Sequence, residues 1–253
     1  MNTHEALLTG REEVAAGTMA FHLSKPAGFV FKPGQSVTLS LIDPPAEANS
    51  TQRIFSLASA PFEDGLTVAT RMRDGSAYKR ALKALPLGAT LKLKGPRGLM
   101  TLHEDRSRAA VFIAGGIGIT PFMSMLRQAA QEPLAQPLFL LYSNRRPQDA
   151  PFLAELQDLA RRNDSFRLLA RMTDAEGFID ENAVKRFVAD AAAPLYYLAG
   201  PPAMVTATKA SCAAAASVTK TSAASSSTAT RIFSYRSCSS QRACATSRPR
   251  RAR

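Results

Sequence analysis

The thirteen residues Ala110-Val-Phe-Ile-Ala-Gly-Gly-Ile-Gly-Ile-Thr-Pro-Phe122 constrain the fold of this chain more than any other segment. An apolar run without alternation is a strand buried on both faces, as in a parallel sheet covered by helices. The glycines that follow permit positive φ and close backbone approach. Proline in the next turn sits where a helix tolerates it, at its start. Strand, glycine loop and helix in that order form a unit of a doubly wound sheet. Such sheets bind ligands outside the carboxyl ends of their strands.

The same rhythm continues after this segment. Pro137 to Tyr142 precedes a helical pattern over Ala150 to Leu159. Phe166 to Ala170 precedes Asp180 to Phe187, and Leu195 to Ala199 precedes a helix from Pro202 onward. Residues 109–208 therefore read as an α/β unit with right-handed crossovers. Residues 1–104 have a different rhythm. Short apolar runs recur at Thr18 to Leu23, Ser36 to Ile42, Arg53 to Ala58, Leu66 to Met72 and Thr90 to Leu93, with Gly and Pro turns between them. That spacing predicts an antiparallel barrel or sandwich, interrupted by one helix over Ala77 to Leu85. The expected fold class is thus two-domain, β followed by α/β, with a boundary in the polar stretch His103 to Ser107. The expected domains are residues 1–104 and 105–208, and residues 209–253 form a low-complexity basic tail, expected to be disordered.

Charge needs the same division. The whole chain carries +12, but nine basic and no acidic residues lie from Lys209 onward, leaving +3 for residues 1–208. The basic excess belongs to the tail, which argues against a nucleic-acid partner for the rest. All three cysteines, Cys212, Cys238 and Cys244, are also in the tail, so no disulfide framework is expected. His4, His22 and His103 share no metal-ligand spacing, and no metal is expected. No apolar run is long enough to span a bilayer, and no secretory signal opens the chain, so a cytoplasmic location is expected.

Five short motifs can carry chemistry, and each has a plainer reading. Arg53-Ile-Phe-Ser56 lies on a predicted strand with Arg53 and Phe55 on one face and Ser56 on the other; an edge strand with a solvated arginine would look alike. Gly75-Ser76 opens the short helix and suits a phosphate, or is a turn with an N-cap. Gly116, Gly118 and Thr120 suit a dinucleotide, or make a tight crossover turn. Arg145 and Arg146 end the second strand of the parallel sheet, where an arginine favours the 2′-phosphate of NADP over the 2′-OH of NAD; the alternative is a solvated basic loop. Gly200, Pro201 and Met204 follow the last strand as a sharp turn, with or without a ligand.

In this order, with Gly34-Gln35 and Gly95-Pro-Arg-Gly98, the motifs resemble the ferredoxin–NADP⁺ reductase family of flavoproteins over about residues 5–206. The resemblance implies an antiparallel flavin-binding barrel followed by a pyridine-nucleotide domain. It implies FAD between them, NADPH or NADH as hydride donor, and an iron–sulfur, flavodoxin-like or oxygenase acceptor. By it, Arg53 would contact the FAD phosphate, Phe55 would stack on the isoalloxazine where the family usually has Tyr, and Ser56 would bond near N5. Thr70 would meet the pyrimidine edge, and Gly75 and Ser76 the pyrophosphate. Gly116 to Thr120 would cradle the nicotinamide nucleotide, and Gly200 to Met204 would flank the nicotinamide.

The tail departs from the family. Its members usually finish with a helix, an acidic residue and a strand ending in aromatics, often Phe-x-Gly-Tyr, the last of which covers the flavin. Others continue into a ferredoxin domain, whose cysteine spacing is absent here. Joining the third base of each codon to the first two of the next, the genetic code permits Asp-Glu-Asp-Ile-Arg-Gly-Val-Glu-Phe-Tyr-Gly-Tyr across Val218 to Thr230. It permits Val-Leu-Arg at Ser211-Cys212. The tail therefore reads as a frameshifted ending, the alternative being a genuine basic tail that recruits an acidic partner or nucleic acid. Without the covering strand, a non-catalytic or inactive flavin-binding relative is the competing expectation for function.

Overall fold

The computed structural model describes residues 2–42, 51–132, 136–215, 221–224 and 231–234. Strands β1 (Thr3–Ala15), β2 (Thr18–Ser24), β3 (Ser36–Leu41), β4 (Gln52–Ser56), β5 (Gly65–Arg71) and β6 (Thr90–Arg97) form one antiparallel sheet in the order β4-β3-β6-β1-β2-β5. Its two outer strands meet: Leu57 bridges Val68, and the Ala58 N–H donates to Thr67 O at 2.8 Å. The sheet thereby closes into a barrel and leaves little exposed edge. Alternation decides which side chains turn inward. In β6, Leu91 and Leu93 are buried while Lys92 and Lys94 are exposed. Helix α1 (Ala77–Ala84) covers the interior with Tyr78 and Leu82, and the Tyr78 hydroxyl donates to Leu39 O at 2.8 Å.

The expected strands and the helix of the first hundred residues are present within a few residues of their expected limits, with one addition. β1 was not among them. Only Ala6 and Leu8 of this 13-residue strand are fully buried, so its apolar signal is short. Its place is fixed by pairing with β2 and β6.

The second sheet is fully parallel, in the order β10-β7-β8-β9, from β7 (Ala110–Gly115), β8 (Leu138–Asn144), β9 (Phe166–Met172) and β10 (Leu195–Ala199). Every residue of β7 is buried, as its unbroken apolar run requires. Phe112 faces a core shared with helices α2 (Thr120–Gln131) and α3 (Leu153–Arg162). Val111 and Ile113 face the opposite core. That core is shared with α5 (Glu181–Phe187) and α6 (Pro202–Ala215), while the single turn α4 (Thr173–Glu176) follows β9. Among the described residues no helix is long and apolar enough to cross a membrane. In the tail, β11 (Thr221–Ala224) pairs antiparallel with β12 (Arg231–Ser234). The expectation of disorder covers residues 209–253; of these, residues 216–220, 225–230 and 235–253, with Cys238 and Cys244, lie outside the described residues.

The stretch between the sheets is tied down by a histidine. The His103 N–H donates to the Tyr197 hydroxyl oxygen at 3.0 Å, and that hydroxyl lies 2.7 Å from His103 Nδ1. His103 Nε2 is 3.1 Å from Arg108 O. Gln136 Nε2 also lies 2.7 Å from His103 Nε2 and donates to Arg108 O at 2.8 Å, so Tyr197 holds the ring on one side and Gln136 with the Arg108 carbonyl on the other. Burial is the largest influence on this ring and holds its pKa below the ordinary value; Arg108 and Arg106 add to that, against the Arg108 carbonyl and Asp105. Burial also pushes Tyr197 up to about 12. Because the folded protein disfavours the charged ring, the stabilising contribution is complete above the unfolded pKa of about 6.5. It is lost as pH falls from there through the lowered folded value. Stability is expected to decline between pH 7 and 5 by no more than about 1.4 kcal/mol per pH unit from this group. Urea titrations of the parent and of His103→Gln check this; the variant should lose that component of the slope.

Candidate functional site

The site lies where the carboxyl ends of the parallel strands meet the barrel. Ala114 pairs with Ala199 on one side and Tyr142 on the other, so the loops after β7, β8 and β10 begin at one level. The connection after β7 runs to β8 and that after β9 crosses back to β10, which makes the β7–β10 boundary the switch point of the sheet.

At that boundary the two glycine motifs interlock. A Cβ at Gly118 would lie 2.3 Å from Ala199 O and 2.7 Å from Gly200 N. A Cβ at Gly115 would lie 2.5 Å from Met204 Sδ and 3.0 Å from Pro201 Cδ, and one at Gly200 would lie 2.6 Å from Met204 Cε. Gly116 differs: its φ is +54°, and nothing lies within 4 Å of where its Cβ would sit. Gly118 is thus required by the neighbouring strand, whereas Gly116 supplies left-handed backbone beside open space. The Tyr142 hydroxyl, 3.0 Å from Pro151 O and 3.2 Å from Gly116 O, steadies the turn. Burial raises its pKa far above the usual tyrosine value, so it stays protonated. Thr120 is buried at the start of α2, and its hydroxyl donates to Ile117 O at 3.2 Å. The turn Gly116–Ile119 lies against β5 of the barrel.

On the barrel side, Arg53, Phe55 and Tyr78 share one face. The Arg53 guanidinium lies 5.3 Å from the Tyr78 ring centre, and Phe55 is 6.3 Å from it. Burial holds the Tyr78 hydroxyl well above its usual pKa, against the influence of Arg53. Phe55 is only 7% exposed and belongs to the barrel core, so its ring faces Tyr78 rather than solvent. Ser56 is half-buried at the end of β4, opposite Ser36. Thr70 is buried on β5. Gly75 is exposed, with nothing within 4 Å of a would-be Cβ, and Ser76 caps α1 by accepting from the Lys79 N–H.

Sequence reasoning passed over two basic residues here. Burial first, then Arg73 and Arg53, lower the pKa of Lys79. Three cations therefore crowd the N-terminus of α1, which has no acidic residue in its first turn. None of the ion pairs among the described residues involves them. Basic residues at the positive end of a helix oppose its dipole, which suits a bound anion. The signal was legible as Arg73-Asp-Gly-Ser-Ala-Tyr-Lys79, basic residues where a helix start prefers acids.

Arg145 and Arg146 are not brought into this cluster. Both are exposed at the end of β8; Arg145 Nε lies 3.6 Å from Asp174, and Arg146 Nε 2.9 Å from Asp149. The Arg146 hydrogen bond, then its charge, holds the Asp149 carboxyl below its usual pKa.

The two halves are joined through packed residues. Ala58 and Met100 belong to the core of the parallel sheet. Gly34, at φ +90°, sits so close to Met100 and Met125 that a Cβ would lie 2.2 Å from Met100 O and 2.3 Å from Met125 Cε.

Fold and site together define a six-stranded barrel followed by a parallel sheet whose switch point carries two interlocked glycine loops. The chain is similar to proteins of the ferredoxin–NADP reductase family. Residues 112–210 match the model of the oxidoreductase NAD-binding domain. Ferredoxin–NADP reductase B of Sorangium cellulosum is 35% identical over 152 residues, 59% of this chain and 60% of that protein. The reductase component of propane 2-monooxygenase from Rhodococcus jostii is 29% identical over 72% of this chain and 52% of its own length. The chain thus spans roughly half the length of curated relatives it matches. Among solved structures, the Amycolatopsis cytochrome P450 reductase GcoB superposes with a TM-score of 0.69 at 25% identity, over 83% of this chain and 65% of that one. A Neisseria gonorrhoeae ferredoxin NADP⁺ reductase with bound FAD and NADP shares the fold, with a TM-score of 0.70 at 20% identity over 84% of this chain and 91% of that one.

Proposed function

We propose that this chain is an NAD(P)H-dependent flavoprotein reductase that passes electrons to an iron–sulfur, flavodoxin-like or oxygenase acceptor. The observation that carries the reading is the meeting of the interlocked glycine loops with the barrel beside a helix start crowded by three cations. Both halves fit their groups. Arg53, Arg73, Lys79, Gly75 and Ser76 suit the FAD pyrophosphate, whose charge would relieve the repulsion among the cations. The open side of Gly116 and the start of α2 at Thr120 suit the phosphates of the nicotinamide nucleotide.

Within that reading, residues 1–104 hold FAD and residues 105–208 hold NAD(P)H. The bound isoalloxazine supplies the chemistry that accepts two electrons together and releases them singly. Ser56 stands at the end of β4 with its hydroxyl available to bond at N5, and is the proposed catalytic residue. Thr70 offers its hydroxyl on the neighbouring strand. Phe55 backs the site from the core, beside Tyr78. Gly200, Pro201 and Met204 close the nicotinamide side. A 2′-phosphate reaching Arg145 and Arg146 must compete with Asp174 and Asp149, so NADH and NADPH both belong to the proposal. The relatives named as reductase components of oxygenases support an acceptor protein as the outlet.

The test is the visible spectrum of the purified chain supplied with FAD, before and after anaerobic NADPH. Retained flavin bands that bleach on NADPH support the reading. A chain that takes up no FAD, or whose flavin does not bleach with NADPH or NADH, overturns it.

A further inference from the structure

We propose that Arg127 is a positioning residue: it fixes how the glycine loops of the parallel sheet approach β4, and so the distance between hydride donor and acceptor. The inference rests on the reductase reading above. Arg127 lies two turns along α2 from Thr120, on the helix that begins where the glycine turn ends. Its side chain is 18% exposed. One edge of the guanidinium is fixed by α3: Nε lies 2.6 Å from Glu155 Oε1 and Nη2 2.7 Å from Glu155 Oε2. The remaining nitrogen crosses to the barrel, where Nη1 donates to Ala58 O at 3.1 Å and stands 3.6 Å from Glu63 Oε1. Phe152 lies below the plane, 5.7 Å away at its ring centre.

Ala58 is two residues beyond Ser56, and its own N–H is bonded to Thr67 of β5. One side chain therefore connects the helix bearing Thr120 to the strand bearing Ser56. The packing of Met125 against Gly34 and Met100 at this boundary is apolar and tolerates small sliding, and one backbone bond, from the Ala16 N–H to Gln148 O at 2.8 Å, crosses it elsewhere. A planar fork held by the Glu155 carboxylate resists sliding, because moving the barrel against it breaks the directional bond from Nη1 to Ala58 O. Burial opposes the Arg127 charge, but the hydrogen bond and charge of Glu155, with Glu63, outweigh it and hold the pKa above the usual value. Lysine could supply the charge but not two bodies at fixed angles. Transfer between bound groups is steep in geometry: an error of about 1 Å costs on the order of a hundredfold in rate.

The experiment uses the full chain loaded with FAD, as parent, Arg127→Met and Arg127→Lys. Anaerobic single-turnover reduction by NADPH gives the limiting rate and the NADPH Kd separately. Amide exchange is followed over residues 53–68 and, as a control, over β8. Arg127→Met is expected to lower the limiting rate by about 10- to 100-fold. FAD content and NADPH Kd should stay within about twofold, with partial recovery in Arg127→Lys and faster exchange over 53–68 but not in β8. A limiting rate equal to the parent overturns the proposal, as does a change confined to Kd. Should Arg127→Met fail to hold FAD, Glu155→Gln, which loosens the fork and keeps the arginine, must show the same loss of limiting rate; a parental rate there overturns the proposal. If the parent itself is reduced by neither NADPH nor NADH, the reductase reading fails. The exchange measurement still decides the coupling, and unchanged exchange over 53–68 in Arg127→Met overturns it.

Discussion

Replacing Gly118 by alanine is expected to lower the stability of the parallel-sheet half by about 3 kcal/mol, and to abolish tight NADPH binding. The added carbon would meet Ala199 O at 2.3 Å and Ala199 C at 2.5 Å. These are backbone atoms of β10, paired in register with β7 and buried, and they cannot rotate away as a side-chain end can. Relief requires moving the turn away from β10 or moving the end of β10 itself. Either shift spoils the level at which the loops converge. For a unit of about 100 residues that cost corresponds to a fall in Tm on the order of 10 °C. A thermal melt and an NADPH titration check it. A variant that melts within about 2 °C of the parent would show that the turn yields more readily than its packing indicates.

Gly34→Ala is expected to be comparably severe, by a different route. Its φ of +90° is strained for any residue with a Cβ, and the new atom would also overlap Met100 O and Met125 Cε. Strain and overlap together place the loss at about 2–5 kcal/mol. Met100 and Met125 pack with the parallel-sheet core, so the damage falls on the contact between the two halves. Chemical denaturation should change from one transition to two, with the barrel still melting cooperatively. A single transition at the parental midpoint would refute this account of Gly34.

The architecture was readable from the chain because two kinds of apolar rhythm divide it. Ala110 to Ala114 is unbroken where burial is two-sided, whereas Leu91 and Leu93 alternate with lysines where it is one-sided. β1 was missed because its register is set by partners rather than by its own pattern. The glycine motifs were found, but their separate reasons were not. Nothing in the order Gly115-Gly-Ile-Gly118 shows that Gly118 serves a strand more than 80 residues away while Gly116 borders open space. Arg127 was invisible for a related reason. In Thr120-Pro-Phe-Met-Ser-Met-Leu-Arg127 it reads as a solvent-facing position, and only the tertiary fold brings Glu155, Ala58 and Glu63 to it. Phe55 stood in its motif as a stacking residue, yet its ring is taken up by the core with Tyr78.

The interlock of the loops also bears on how such a sequence can change over generations. At Gly115 and Gly200 the nearest obstacle is the flexible end of Met204, with Pro201 Cδ and Gly115 N next at 3.0 Å, and at Gly118 it is a carbonyl. Substitutions at the first two positions are therefore conditional on what occupies 204, so a smaller residue there would open paths that a methionine background closes. Position 118 has no such permissive partner. A lineage could drift at two of these glycines in concert with one remote side chain, while the third stays fixed for as long as β10 lies beside β7.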